Sequence, residues 1–233
     1  MTDVKIYGLQ KMTLLDYPGR IACTVFLGGC DMRCPFCHNS ELADGTAEPV
    51  MTAEELISFL KKRQGMLEGA AVTGGEPLLR EETLDLLREI RALGYDVKLD
   101  TNGTHPDRLR RAAEEGLIQY CAMDVKNSPE KYAETAGLKR FDMGPVRESV
   151  SFLKQGSVGY EFRTTVVAEL HDDDAIRAIA EWIDGAERYA LQRFTDRESV
   201  PFAGFHAPDA ERMKAWAEIA APHVKEVILR GVE

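Results

Sequence analysis

The 233 residues carry 39 acidic and 29 basic side chains, a formal net charge of -10, with 44% hydrophobic and 29% charged residues. That balance excludes intrinsic disorder and argues against a nucleic-acid-coating role, which needs a basic surface. No apolar run approaches the roughly 20 residues of a membrane span, and "MTDVKIYGLQKMTLLDYPGR" is charged where a signal peptide is apolar, so a cytoplasmic protein without membrane or nucleic-acid partners is expected. The length allows one full hydrophobic core and predicts a single domain over residues 1–233.

Along the chain, short runs of β-formers alternate with helical patterns. "IACTVFLGG" reads as a buried strand, and "TAEELISFLKKR" as a helix with Thr52 as N-cap and Glu55 as its capping-box partner. "GAAVTGG" is a second strand, "REETLDLLREIRALG" a helix closed by Gly94, and "YDVKLDTNG" a third strand running into a turn. "PDRLRRAAEEG" is helical, "LIQYCAMDVK" a strand, "SPEKYAETAG" and "GPVRESVSFLKQG" helices, and "GYEFRTTVV" the next strand. "DDDAIRAIAEWIDG", with acids in its first turn, precedes the strand "RYALQRF" and a last helix around "DAERMKAWAEIA". Repeated strand, helix, strand units force parallel pairing with right-handed crossovers and an α/β fold. About six units fit, fewer than the eight of a closed barrel, which leaves a partial, open barrel or a doubly wound sheet. In both, ligands bind at the C-terminal ends of the strands, where "TGGEP", "DTNG" and "MDVK" fall.

"GGCDMRCPFCHN" places three of the five cysteines, Cys30, Cys34 and Cys37, within eight residues. In a reducing compartment such clustering points to metal ligation or catalysis rather than disulfides. "CPFCH" matches the motif for covalent c-type haem, but that chemistry belongs to exported proteins. A structural zinc site on these cysteines and His38 lacks the usual second ligand pair, and a redox pair at Cys34 and Cys37 leaves Cys30 unused. The remaining reading is an iron–sulfur cluster with three thiolate ligands and one iron open to a non-protein ligand. Cys23 and Cys121 sit singly in strands and read as buried small hydrophobes.

The spacing Cys-x3-Cys-x2-Cys, with Phe36 before the third cysteine, resembles the signature of radical S-adenosylmethionine (SAM) enzymes. The resemblance implies a partial, open TIM-like (β/α)6 barrel of parallel strands. It also implies one [4Fe–4S] cluster on Cys30, Cys34 and Cys37, with SAM on its open iron and Phe36 and His38 beside the cofactor. Gly74, Gly75 and Glu76 match the segment that binds the SAM amino group in that family, where a carboxylate can pair with an ammonium. "DTNG" and "AMDVK" match segments of the pyruvate formate-lyase activating enzymes. Carried over, Asp100, Thr101 and Asp124 are candidates for a monovalent cation site beside SAM, and Lys126 and Arg163 for SAM contacts.

The opening "GLQKMTLLDYPGRIACTVFLGGC" is similar to glycyl-radical-enzyme activases, whose Asp-x-Pro-Gly segment here is Asp16, Tyr17, Pro18 and Gly19. Asp16 is the candidate catalytic residue of that segment. Its "LLDYPG" form looks more like the activating protein of anaerobic (class III) ribonucleoside-triphosphate reductase. The implied activity is reductive cleavage of SAM to a 5′-deoxyadenosyl radical that generates a glycyl radical on that reductase, with a donor such as flavodoxin or ferredoxin supplying the electron. The alternatives are activation of pyruvate formate-lyase or another glycyl-radical enzyme, and a radical SAM enzyme acting on a small molecule. After about residue 190 the match thins, with Gln192, Arg193 and His206 near the adenosine or the partner.

Overall fold

A computed structural model describes residues 3–232. Nine strands form one sheet in the order β3-β1-β2-β4-β5-β6-β7-β8-β9. They are β1 (Lys5–Thr13), β2 (Ala22–Leu27), β3 (Met51–Thr52), β4 (Gly69–Gly74), β5 (Asp96–Thr101), β6 (Tyr120–Asp124), β7 (Gly159–Val166), β8 (Arg188–Arg193) and β9 (Glu226–Arg230). From β2 to β9 every pairing is parallel, whereas β1 runs antiparallel to both β2 and β3. From β2 to β9 the strand order advances in one direction without reversal. Right-handed crossovers then put the helices on one face and leave the other as a barrel interior, which excludes the doubly wound alternative. Edge strands β3 and β9 do not pair, so the barrel is open.

The helices are α1 (Ser40–Asp44), α2 (Ala53–Lys61), α3 (Glu82–Ala92), α4 (Pro106–Glu114), α5 (Tyr132–Thr135), α6 (Gly144–Lys154), α7 (Asp173–Trp182) and α8 (Ala210–Ala220). The expected capping box starts α2: Glu55 N–H donates to Thr52 Oγ1 (3.2 Å) and Thr52 N–H to Glu55 Oε2 (2.8 Å). Asp172 caps α7 by accepting from Ala175 N–H at 2.7 Å. Each helix buries one apolar face, as α2 does with Leu56, Ile57 and Leu60. Among the described residues no helix is long and apolar enough to cross a membrane.

Three differences from expectation have local causes. The parallel strands are joined by the antiparallel pair β1 and β3, whose residues are largely half-exposed and carry no clear apolar alternation. Strand β9, missed beyond the last helix, is five partly exposed residues. The helix expected over "SPEKYAETAG" shrinks to one turn, α5. Asn127 Oδ1 accepts from Ser128 N–H (2.7 Å) and the Asn127 amide donates to Leu170 carbonyl (2.9 Å), tying this stretch to non-helical backbone.

The barrel interior holds charge. Glu161 on β7 is fully buried, accepts two hydrogen bonds from the Arg230 guanidinium (2.7 and 2.8 Å) and one from Tyr120 Oη (3.0 Å). Removing one partner of such a buried pair leaves the other uncompensated, at a cost of about 3–5 kcal/mol. Arg230→Ala is expected to lower the melting temperature by about 10 °C, at roughly 2–4 °C per kcal/mol for a chain of this size. The Glu161→Leu/Arg230→Met double variant is expected to recover most of it, as read by thermal unfolding followed by circular dichroism.

Candidate active site

A cavity of about 500 Å³ lies at the C-terminal ends of the strands, and Cys30, Cys34 and Cys37 line it together. They sit on the loop after β2. Gly29 N–H donates to Leu42 carbonyl (2.7 Å), Arg33 N–H to Ala136 carbonyl (2.8 Å), and Cys37 N–H to Cys34 carbonyl (3.1 Å). Phe36 is buried edge-on against Phe194 and Phe205. His38 stacks on Phe194 at 5.5 Å, with Nε2 2.6 Å from Thr195 carbonyl oxygen. All five cysteines are free thiols, and Cys23 and Cys121 are fully buried in strands. Burial pushes the Cys30 thiol up to about 12 and raises that of Cys34. Thiols bind metal only as thiolates, so loading this site releases protons. Among the described residues no three His, Cys, Asp or Glu side chains converge as they would on one metal ion. The cysteines share a cavity wall rather than a single-ion cage, and an all-sulfur donor set is the one iron–sulfur clusters take.

The cysteine loop is bolted to the end of β4 by two glycines. A Cβ at Gly74, whose φ is +129°, would lie 2.1 Å from Leu27 carbonyl oxygen, and one at Gly75 would lie 2.1 Å from that of Gly29. Neither position tolerates a side chain. Their role here is the close approach of two backbone segments, and Asn39, donating to Gly74 carbonyl at 3.0 Å, adds a third tie. Both glycines also line the cavity.

Glu76 sits at the turn after β4. Its carboxylate is buried and accepts from Leu78 N–H (2.9 Å), Thr101 Oγ1 (2.8 Å) and Asn102 N–H (2.6 Å). It lines a separate cavity of about 120 Å³ with Lys5, Tyr7 and Arg80, not the cysteine cavity. In this structure its carboxylate forms a clasp between the ends of β4 and β5. Burial outweighs the three donors and raises its carboxyl to about 7. Thr101, facing the same clasp, also lines the large cavity.

Asp100, Asp124, Lys126 and Arg163 all line that cavity. Arg163 faces Asp124 across the β6–β7 pairing and donates through Nε to Asp124 (2.7 Å), with Nη1 3.4 Å from Asp100. Lys126 Nζ donates to Asp124 at 2.7 Å. Lys98, not singled out in the sequence, reaches up β5 to pair with Asp100. Burial opposes ionisation of Asp124, yet Arg163 and Lys126 hold its carboxyl well below the usual range. Burial likewise opposes ionisation of Asp100, and the Lys98 and Arg163 cations lower it.

Asp16 also lines the cavity and accepts from Thr24 Oγ1. Its neighbour Tyr17 points away, buried against Tyr120 with ring centroids 6.3 Å apart. Gln192 and Arg193 line the cavity, whereas His206 does not and pairs with Glu169 at 2.6 Å. A further residue that sequence reading left as turn chemistry is Asn102. Its amide donates to Asp31 (2.8 Å) and lies 3.8 Å from Cys30 Sγ. His105 Nε2 is 3.4 Å from Asp31 without hydrogen-bond alignment, and Asp31, despite burial, is lowered to about 2.

The sequence pattern of the Radical SAM superfamily matches residues 24–183. A protein of Methanocaldococcus jannaschii provisionally named as a glycyl-radical enzyme activating enzyme is 29% identical over 97% of this chain and 96% of its own length. The pyruvate formate-lyase-activating enzyme of Listeria monocytogenes is 32% identical over 74% of this chain and 73% of its own. Among solved structures, Streptococcus suis SuiB bound to S-adenosylmethionine superposes with a TM-score of 0.69 at 12% identity. The match covers 87% of this chain and 48% of that one, and bears on the fold alone.

Glu76→Ala strands three buried donors, each worth about 1–3 kcal/mol when unsatisfied, and is expected to lower the melting temperature of the cluster-free chain by about 10 °C or more. Because the folded carboxyl titrates near 7 and an ordinary one near 4.5, the folded state holds the proton more tightly. Stability from this group is present below about 4.5 and lost as pH rises towards 7. The melting-temperature gap between the natural chain and Glu76→Gln is expected to narrow over that rise, checked by thermal unfolding at several pH values.

Proposed function

The chain belongs to the Radical SAM superfamily and to its glycyl-radical enzyme activating group, and on that premise we propose that its partner is the catalytic subunit of an anaerobic ribonucleoside-triphosphate reductase. Enzymes of this group use a [4Fe–4S] cluster and SAM and act on a glycyl-radical enzyme. When bound and reduced by a donor such as flavodoxin or ferredoxin, the cluster supplies the electron that cleaves SAM and so the radical that removes hydrogen from a glycine Cα. The observation that carries the reading is the single cavity shared by three free thiols, the Gly74–Gly75 turn and the Asp100, Asp124, Lys126 and Arg163 row.

In this reading Cys30, Cys34 and Cys37 hold the cluster. Lys126 and Arg163 present positive charge to a carboxylate. Phe36 and His38 form one flank of the cofactor pocket, and buried Phe36 and Met32 keep that side poor in water. No side chain is required as a general base. Asp16, on the wall opposite the sheet's later strands, faces the space an incoming glycine loop would enter. Next to Asp16, where β1 ends beside the start of β2, Met12, Leu14 and Leu15 are exposed, and Leu15 also lines the cavity. An apolar rim of this kind suits a protein substrate. The choice of reductase rests on the "LLDYPG" form of the N-terminal segment. Tyr17 itself plugs the barrel beside Tyr120 and Ala22 and makes no contact with the cavity, so it bears on the partner through resemblance alone. The relative from Listeria favours a second reading with equal weight, activation of pyruvate formate-lyase.

The test is anaerobic reconstitution with iron and sulfide, reduction, addition of SAM and the reductase subunit, and electron paramagnetic resonance. A glycyl-radical doublet is expected. 5′-Deoxyadenosine without a doublet would overturn this partner and direct the test to pyruvate formate-lyase and then to small molecules. Replacing any of Cys30, Cys34 or Cys37 with Ala is expected to abolish SAM cleavage. The Met12→Asp/Leu14→Asp variant is expected to keep partner-free SAM cleavage and lose radical transfer by at least about tenfold, the loss of roughly 1.4 kcal/mol of docking energy.

A further inference from the structure

Asp100 and Asp124 are two partly buried carboxylates at the cavity wall, where resemblance led us to expect a bound monovalent cation. The positive charge is already there. Lys98 pairs with Asp100, Lys126 with Asp124, and Arg163 with both, so three side-chain cations face two carboxylates. A further cation would enter a group that is already net positive. Of the three, Lys98 is distinct. Lys126 and Arg163 line the cavity, where a ligand can reach them, whereas Lys98 does not and its side chain is 4% exposed. It lies two residues before Asp100 on β5, hence on the same face and one layer deeper. Its cross-strand neighbour on β4 is Ala71 and that of Asp100 on β6 is Ala122, small residues that leave the four-carbon stem room to rise.

We propose that the Lys98 ammonium is the resident cation of this site, so that the chain binds SAM without a monovalent metal ion. The inference rests on the SAM site of the reading above but not on the identity of the protein partner, because SAM binding and partner-free cleavage test it directly.

The experiment measures SAM affinity of the cluster-loaded chain by equilibrium dialysis in buffers of equal ionic strength, with tetramethylammonium, sodium or potassium as the sole monovalent cation. The natural chain is expected to bind within about twofold in all three, the scatter of a screened surface effect. Lys98→Met leaves Asp100 short of a buried partner and is expected to lose about tenfold or more in tetramethylammonium and regain most of it in potassium or ammonium. Thermal unfolding of the cluster-free chains gives a readout independent of SAM. Potassium is expected to stabilise Lys98→Met and Lys98→Gln over tetramethylammonium and to leave the natural chain unchanged. A tenfold loss of affinity by the natural chain without sodium or potassium would overturn the proposal, whatever the variants do. So would a folded Lys98→Met or Lys98→Gln that binds SAM normally in tetramethylammonium.

Discussion

Charge placed inside an open barrel must be paired, and much of this molecule's interior is arranged by that constraint. Glu161 is satisfied by Arg230 from the last strand and by Tyr120, so the strand that ends the sheet supplies the counter-ion for the middle of it. Beside this pair, Lys98, Asp100, Arg163, Asp124 and Lys126 form a continuous row from β5 through the end of β6 to β7. Such networks cost desolvation and return it only when every member is partnered. What they provide is a polarised wall at the strand ends, its charges already paired.

The second constraint is backbone proximity. The loop bearing the cysteines packs so closely on the end of β4 that two consecutive positions admit only glycine. Glu76 then ties this turn to the start of the loop after β5, through Thr101 and Asn102, and Asn102 reaches back to Asp31 beside Cys30. The thiols, the glycine turn and the charged row are thus parts of one mechanical unit, and displacement of one is felt by the others. This accounts for a carboxylate that faces away from the large cavity and still belongs to the site.

Particular residues show how much was legible beforehand. Thr52 and Glu55 announced the start of α2 because a capping box is a local device, complete within four residues. Cys30, Cys34 and Cys37 were legible because their chemistry and spacing lie within one loop. Strands β1 and β9 were not, since a strand at or next to a sheet edge and half-exposed lacks the alternation that marks a buried one. Lys98 was hidden for another reason: a lysine in a strand reads as solvated until the sheet curls and turns its face inward. Tyr17, prominent as a motif letter, proved to be a plug at the far end from the thiols.

The alternation of strands and helices, the parallel pairing it forces, and the three-cysteine loop follow from the chain's local order, because each depends on residues close together in sequence. The open barrel itself depends on the direction in which strand order advances. The orientation of Glu76 away from the cavity and the pairing of Lys98 with Asp100 depend on which side chains share an interior layer. Those relations link residues tens of positions apart, and only the folded sheet brings them within reach of a hydrogen bond.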